Sequence, residues 1–196
     1  MKLAEFQNIT SLVNIPSILL NGILSYAQAS KLPHHSVALQ DVQDKRDQKR
    51  IPGGLALHEY ANVYFHARNP MMSRRRNEAH SLCVLRVSTE ILKISGAVIT
   101  DQNAVSKYVK FSAPDRLQFM DLDYVFAVNW KHPGNQIEEW RHSSAKCAEA
   151  LIPHSIPPGY LLGAYVMNAA VRKKLEELGF ALPIVINADL FFHTDP

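Results

Sequence analysis

The sequence predicts an α+β fold. Helical and strand-like segments alternate along it without the regular rhythm of a doubly wound parallel sheet, and the strand-like segments are short and mostly apolar. Start and stop residues mark several of the helical ones.

Residues 15–21 open the series as a helix: Pro16 suits its first turn, Gly22 its end, and Ile15, Ile18 and Leu19 its inner face. Residues 27–52 are polar and dense in charge from Asp41 to Arg50; a second helix fits their later part, ended by Pro52-Gly53-Gly54. This stretch is equally compatible with a solvated helix or a mobile loop. Strands are expected at residues 62–66 and 82–87, a short helix opens at Ser88-Thr89-Glu90, and residues 97–100 read as a buried strand. Residues 115–147 mix helical patterning with a loop at Pro133-Gly134. After them come a strand at 149–152 ended by Pro153, a strand at 159–167, and an amphipathic helix at 169–178 stopped by Gly179. Final strands are expected at 184–192.

A single domain spanning residues 1–196 is expected from the length, since neither a linker nor an internal repeat interrupts the chain. The longest apolar stretch, residues 160–171, contains Gly163 and Asn168 and is too short for a membrane span. The first eight residues lack the apolar core of a signal peptide, so a cytoplasmic location is expected, with no membrane partner. Cys83 and Cys147 have neither metal-ligand spacing nor a disulfide framework. A net charge of +3 permits a nucleic-acid partner without requiring one.

Nine histidines raise the question of a metal, but His58-Glu59 is followed by Asn62 where a metalloprotease helix has its second histidine. No metal is expected. Gly-rich phosphate loops and the nucleophile elbow of serine hydrolases are also absent from the sequence. Three features remain: residues 14–24, the polar and aromatic run of residues 57–72, and residues 148–153. In the third, strand alternation places Glu149 with Leu151 and puts Ala148, Ala150 and Ile152 on the other face. From spacing alone, Glu149 reads as an exposed residue on an edge strand.

Together and in this order, these features resemble the DarT family of DNA ADP-ribosyltransferase toxins. The matching stretches are Ile9-Thr10 with residues 14–19, residues 43–52, residues 57–72, Thr100-Asp101 and residues 148–153. The sequence departs from the family at Asn8, where a histidine is usual, at Ala61-Asn62, and at Ala67.

The resemblance implies an ADP-ribosyltransferase-like fold: two packed small mixed or antiparallel sheets with flanking helices around an NAD cleft. It further implies transfer of ADP-ribose from NAD to thymine or guanine in single-stranded DNA, within a toxin–antitoxin system. The expected partner is an antitoxin that hydrolyses the ADP-ribose adduct. Transfer to RNA or protein, and an inactive nucleic-acid-binding module, are the alternatives. Catalysis falls to Glu149, which would stabilise the cation formed on the ribose, and to Arg46, which would bind phosphate or activate the acceptor base. The cofactor set is Asn8, Thr10, Asn14, His58, Tyr64 and Phe65, with Tyr64 and Phe65 walling the nicotinamide. Residues 112–147 correspond to a substrate-recognition region, in which Trp140, Arg141 and Lys146 would contact DNA; an ordinary polar surface helix fits the same residues.

Overall fold

The computed structural model describes residues 3–193, so both ends of the domain expected over 1–196 lie outside the described residues. The strands are β1 (Phe6–Ser11), β2 (Ile23–Leu24), β3 (Tyr60–Tyr64), β4 (Leu82–Val87), β5 (Val98–Thr100), β6 (Phe111–Ser112), β7 (Glu149–Pro153), β8 (Ser155–Ile156), β9 (Leu161–Val166) and β10 (Ile184–Ile186). The helices are α1 (Ile15–Asn21), α2 (Tyr26–Ala29), α3 (Gln40–Asp47), α4 (Pro70–Arg75), α5 (Leu122–Phe126), α6 (Gln136–Ala145) and α7 (Ala169–Glu177).

Eight strands form one mixed sheet in the order β10-β9-β4-β1-β3-β7-β5-β6, and β2 pairs with β8 in a second. The large sheet has a seam. Six residue pairs join β1 to β4 and five join β3 to β7, but only Gln7↔Tyr64 joins β1 to β3. Two four-stranded halves therefore meet at one pair within a single large sheet, where the resemblance implied two small packed sheets; the small sheet is the β2–β8 pair.

Period-two patterning builds both faces of the central strands. On β4, Cys83, Leu85 and Val87 join the main core cluster, while Leu82 and Val84 join a second. Around β7, Ala148, Ala150 and Ile152 face the main cluster and Leu151 a third, matching the alternation expected from the sequence. Helix α7 buries Val171 and Leu175; the Asn168 side chain caps it by accepting the Val171 N–H, a contribution of about 1 kcal/mol. Gly22 ends α1 at φ +79°, and a Cβ there would lie 2.1 Å from the Ile156 carbonyl oxygen, so only glycine fits.

Two of the differences from expectation have a clear physical cause. Strand pairing stops at Ile186, because the Asn187 side chain accepts the Leu190 N–H and starts a 3-10 turn over Ala188–Phe191. Strand β1, rich in Gln, Asn, Thr and Ser, is not apparent from hydrophobic pattern. It is buried because its polar groups are satisfied: Gln7 Oε1 accepts the Ala67 N–H at 2.7 Å. Among the described residues no helix is long and apolar enough to cross a membrane.

Candidate active site

Glu149 begins β7, which lies between β3 and β5 in the sheet interior, and it is 1% exposed. The exposed edge-strand position expected from spacing is overturned: β5 and β6 continue the sheet beyond β7, which period-two patterning alone does not reveal. A buried carboxylate needs partners, and Glu149 has them. Arg46 Nη1 donates to both carboxylate oxygens at 3.1 Å, and the Ala104 N–H donates to Oε1 at 2.9 Å. Thr100 holds the backbone of the same residue, its hydroxyl accepting the Glu149 N–H at 3.0 Å and donating to the Glu149 carbonyl at 3.2 Å.

Neighbouring groups register the charge. Tyr64 stands opposite Glu149 in the β3–β7 register; burial first, then the Glu149 carboxylate, pushes its phenol far above its ordinary value. Burial pulls the Lys49 ammonium down and the attraction of Glu149 opposes that shift. Lys49 Nζ donates to the Ser106 carbonyl at 2.7 Å and so ties down the loop that carries Ala104.

Arg46 is the one buried residue of α3. Lacking an apolar face, the helix is braced by side chains. His58 lies 2.9 Å (Nε2) from Gln43 Oε1 and 3.3 Å (Nδ1) from Asp47 Oδ1, with its ring 4.3 Å from that of Tyr26. His58 thus supports the helix of Arg46 and, like Glu149, is not among the residues that line the seam cleft.

That cleft follows the seam between the half-sheets. Asn8, Thr10 and Asn14 line one side and Asn62 and Tyr64 another, with Arg46 beside them and Tyr26, His34 and His35 also in its wall. Asn8 Nδ2 donates to the Asn62 carbonyl at 3.1 Å, bridging the seam. Asn14 Nδ2 donates to Thr10 Oγ1 at 3.2 Å and to the His35 carbonyl at 2.8 Å, while Asn14 Oδ1 accepts the His35 N–H. Phe65 does not belong here. It is fully buried in the main core, edge-on to Phe6 with centroids 5.0 Å apart, so the place expected of it in a nicotinamide wall is not open to it.

Trp140 and Arg141 project from α6 into a different groove, shared with Tyr108, Arg116 and Phe119 and bordered by Ile99 of β5. Lys146 does not accompany them. It is fully buried where the chain turns from α6 into β7, and its Nζ donates to the Ala127 carbonyl at 2.8 Å. Burial brings its pKa down to about 8; burial, with the charges of Lys146 and Arg68, brings His66 down to about 4. Arg68 donates to the Val128 carbonyl at 3.3 Å, so two cations hold consecutive carbonyls of the α5–α6 connection. The DNA contact expected of Lys146 is replaced by this internal role.

Both cysteine thiols are buried, which pushes each up to about 12. Among the described residues no group of His, Cys, Asp and Glu is arranged to hold a metal ion. Tyr26 and the Ala104 amide were not legible as site components: one lies on a four-residue helix, and the other is a backbone group with no side-chain signature. Thr100 was visible as half of a Thr-Asp pair, without a role.

The family described as "ssDNA thymidine ADP-ribosyltransferase, DarT" matches residues 8–192. A DNA ADP-ribosyl transferase–DNA ADP-ribosyl glycohydrolase fusion protein of Thermosipho africanus (strain H17ap60334) is 28% identical over 202 residues, covering 96% of this chain and 49% of the relative. The chain thus spans about half the length of that relative. The solved structure of Thermosipho africanus DarTG in complex with ADP-ribose superposes with a TM-score of 0.83 at 27% identity, over 97% of this chain and 51% of that one. Thermus sp. 2.9 DarT in complex with ADP-ribosylated ssDNA gives a TM-score of 0.81 at 22% identity, over 96% of both chains, a likeness of fold.

Proposed function

Because the chain belongs to the DarT family of ssDNA thymidine ADP-ribosyltransferases, we propose that it transfers ADP-ribose from NAD to a thymine of single-stranded DNA. The observation that carries this reading is the buried Glu149 carboxylate, paired with a backbone amide and with Arg46, which lines the seam cleft. In the reaction the bond between ribose C1′ and nicotinamide breaks and nicotinamide leaves neutral. A ring nitrogen of the base then bonds to C1′ and releases its proton to water. Positive charge on the ribose peaks between the two steps, and a fixed carboxylate stabilises it at that moment. Glu149 accepts the ribose 2′-hydroxyl, sharing its oxygens with Arg46.

Asn8, Thr10 and Asn14 suit the ribose and phosphate side of the cofactor, Tyr64 the nicotinamide side. The second groove suits the DNA strand. Tyr108, Phe119 and Trp140 are 75, 70 and 66% exposed, with Arg116 and Arg141 beside them, and such interleaving of rings and cations stacks bases with little sequence preference. The chain works in the cytoplasm as the toxin of a pair whose partner hydrolyses the adduct; the glycohydrolase half of the Thermosipho relative supports that assignment. Expressed without that partner, it halts growth.

NAD labelled in its adenylate half, incubated with single-stranded DNA, RNA and protein in turn, tests the proposal. Label on DNA is expected. Label confined to RNA or protein, or release of free ADP-ribose alone, overturns it.

A further inference from the structure

We infer that Thr100 is a positioning residue for transfer, its hydroxyl fixing the direction in which Glu149 presents its carboxylate. The inference rests on the role proposed above for Glu149.

The β5–β7 register runs Val98↔Leu151, Ile99↔Ala150, and one further step sets Thr100 opposite Glu149. At that step a side chain replaces the backbone ladder. The Thr100 hydroxyl takes the Glu149 N–H at 3.0 Å and gives its own proton to the Glu149 carbonyl at 3.2 Å. A single hydroxyl thereby satisfies both main-chain groups of the residue. With the hydroxyl interposed, the chain leaves β5 and turns back so that the Ala104 N–H meets Glu149 Oε1 at 2.9 Å. Asn103 and Lys49 secure this turn: the Asn103 N–H bonds the Ser144 carbonyl, and Lys49 bonds the Ser106 carbonyl. The backbone of Glu149 is held by Thr100 and one of its carboxylate oxygens by Ala104, so its side-chain torsions are defined from both ends.

Few residue types meet this demand. The position is fully buried, leaving water no route to substitute. It requires a group that donates and accepts at once on a short stem, which restricts it to Thr or Ser. Valine has the same shape and neither capacity. Placing it there leaves the Glu149 N–H and carbonyl without partners in the core, and the strand end shifts to find others. Displacements of the order of 1 Å in a catalytic group cost up to about 100-fold in rate.

The test is steady-state kinetics with NAD and single-stranded DNA on Thr100→Val, Thr100→Ser and Glu149→Gln, with turnover corrected for the folded fraction of each. Thr100→Val is expected to lower kcat about 10- to 100-fold with the KM for NAD within about two-fold. Thr100→Ser is expected to restore kcat to within about three-fold of wild type, a rescue that mere space-filling would not give. Thr100→Ala is made alongside, so that loss of the hydroxyl is read in a folded chain even where valine prevents folding. Normal kcat in the folded hydroxyl-less variants, with Glu149→Gln inactive, overturns the role of Thr100 and leaves that of Glu149 standing. Full turnover by Glu149→Gln overturns both.

Discussion

The two halves of the Arg46–Glu149 pair are held in opposite ways. Glu149 sits on an interior strand, with neighbours on both sides, a hydroxyl on its backbone and an amide on its carboxylate. Arg46 sits on an eight-residue helix whose other residues lie outside the buried core, braced through His58 to Gln43 and Asp47. The difference teaches a division of labour. A carboxylate that must meet a short-lived cation gains from a rigid frame, because preorganised charge costs no rearrangement as the bond breaks. On the role proposed for the pair, Arg46 shares that carboxylate with substrate from a helix held by side-chain contacts alone.

The largest effect that sharpens this contrast is expected of Glu149→Ala. Transfer falls about 100- to 1000-fold, the usual cost of removing a charge-stabilising group. Stability falls as well. Loss of the carboxylate strands a 7% exposed guanidinium, which costs about 3–5 kcal/mol. Denaturant unfolding checks this, and an unchanged midpoint breaks the pairing argument.

Next comes Arg46→Ala, set against Arg50→Ala and Arg75→Ala. Arg50 donates to the Gly54 carbonyl at the surface, and Arg75 to Val37 and Glu78, so neither reaches Glu149. Arg46→Ala is expected to reduce transfer about 100-fold and the other two less than about three-fold. Equal modest losses would point instead to general attraction of DNA, recognisable by its dependence on salt.

His58→Ala, a smaller perturbation, removes the brace of α3. A loss of about 1 kcal/mol and a few-fold fall in turnover are expected, with NAD affinity little changed. A selective loss of NAD affinity would instead place His58 in the cofactor set.

How much of this was legible follows from where each signal lies. Helix α1 and strand β4 were readable because apolar spacing and Pro/Gly punctuation are local. The burial of Glu149 was not, since it depends on β5 and β6 pairing beyond it, a contact set across about fifty residues of chain. Lys146 and Phe65 misled for one reason: residue type suggests a partner, but direction is decided by the element on which the residue stands. Lys146 follows α6 into the core, and Phe65 alternates inward beside Tyr64.

A last effect concerns pH and bears on stability alone. The folded pKa of Lys146, about 8, lies below its ordinary 10.5, so between those values the unfolded chain binds more protons and stability rises with pH. His66, at about 4 against 6.5, contributes stability that is complete above pH 6.5 and is lost as pH falls toward 4. Each slope is at most about 1.4 kcal/mol per pH unit. Denaturant titrations at stepped pH are expected to show both, with Lys146→Met removing the alkaline one and, because the Lys146 charge also depresses His66, weakening the acid one. An unchanged alkaline slope in that variant would contradict the internal placement of Lys146.

The most direct measurement of the central claim is mass spectrometry of nucleosides digested from single-stranded DNA after incubation with NAD and either wild type or Glu149→Gln. Thymidine carrying one ADP-ribose is expected with wild type and none with a folded, NAD-binding Glu149→Gln. The same adduct from both proteins would contradict the role of Glu149, and wild-type adducts confined to another base would contradict thymine as the target.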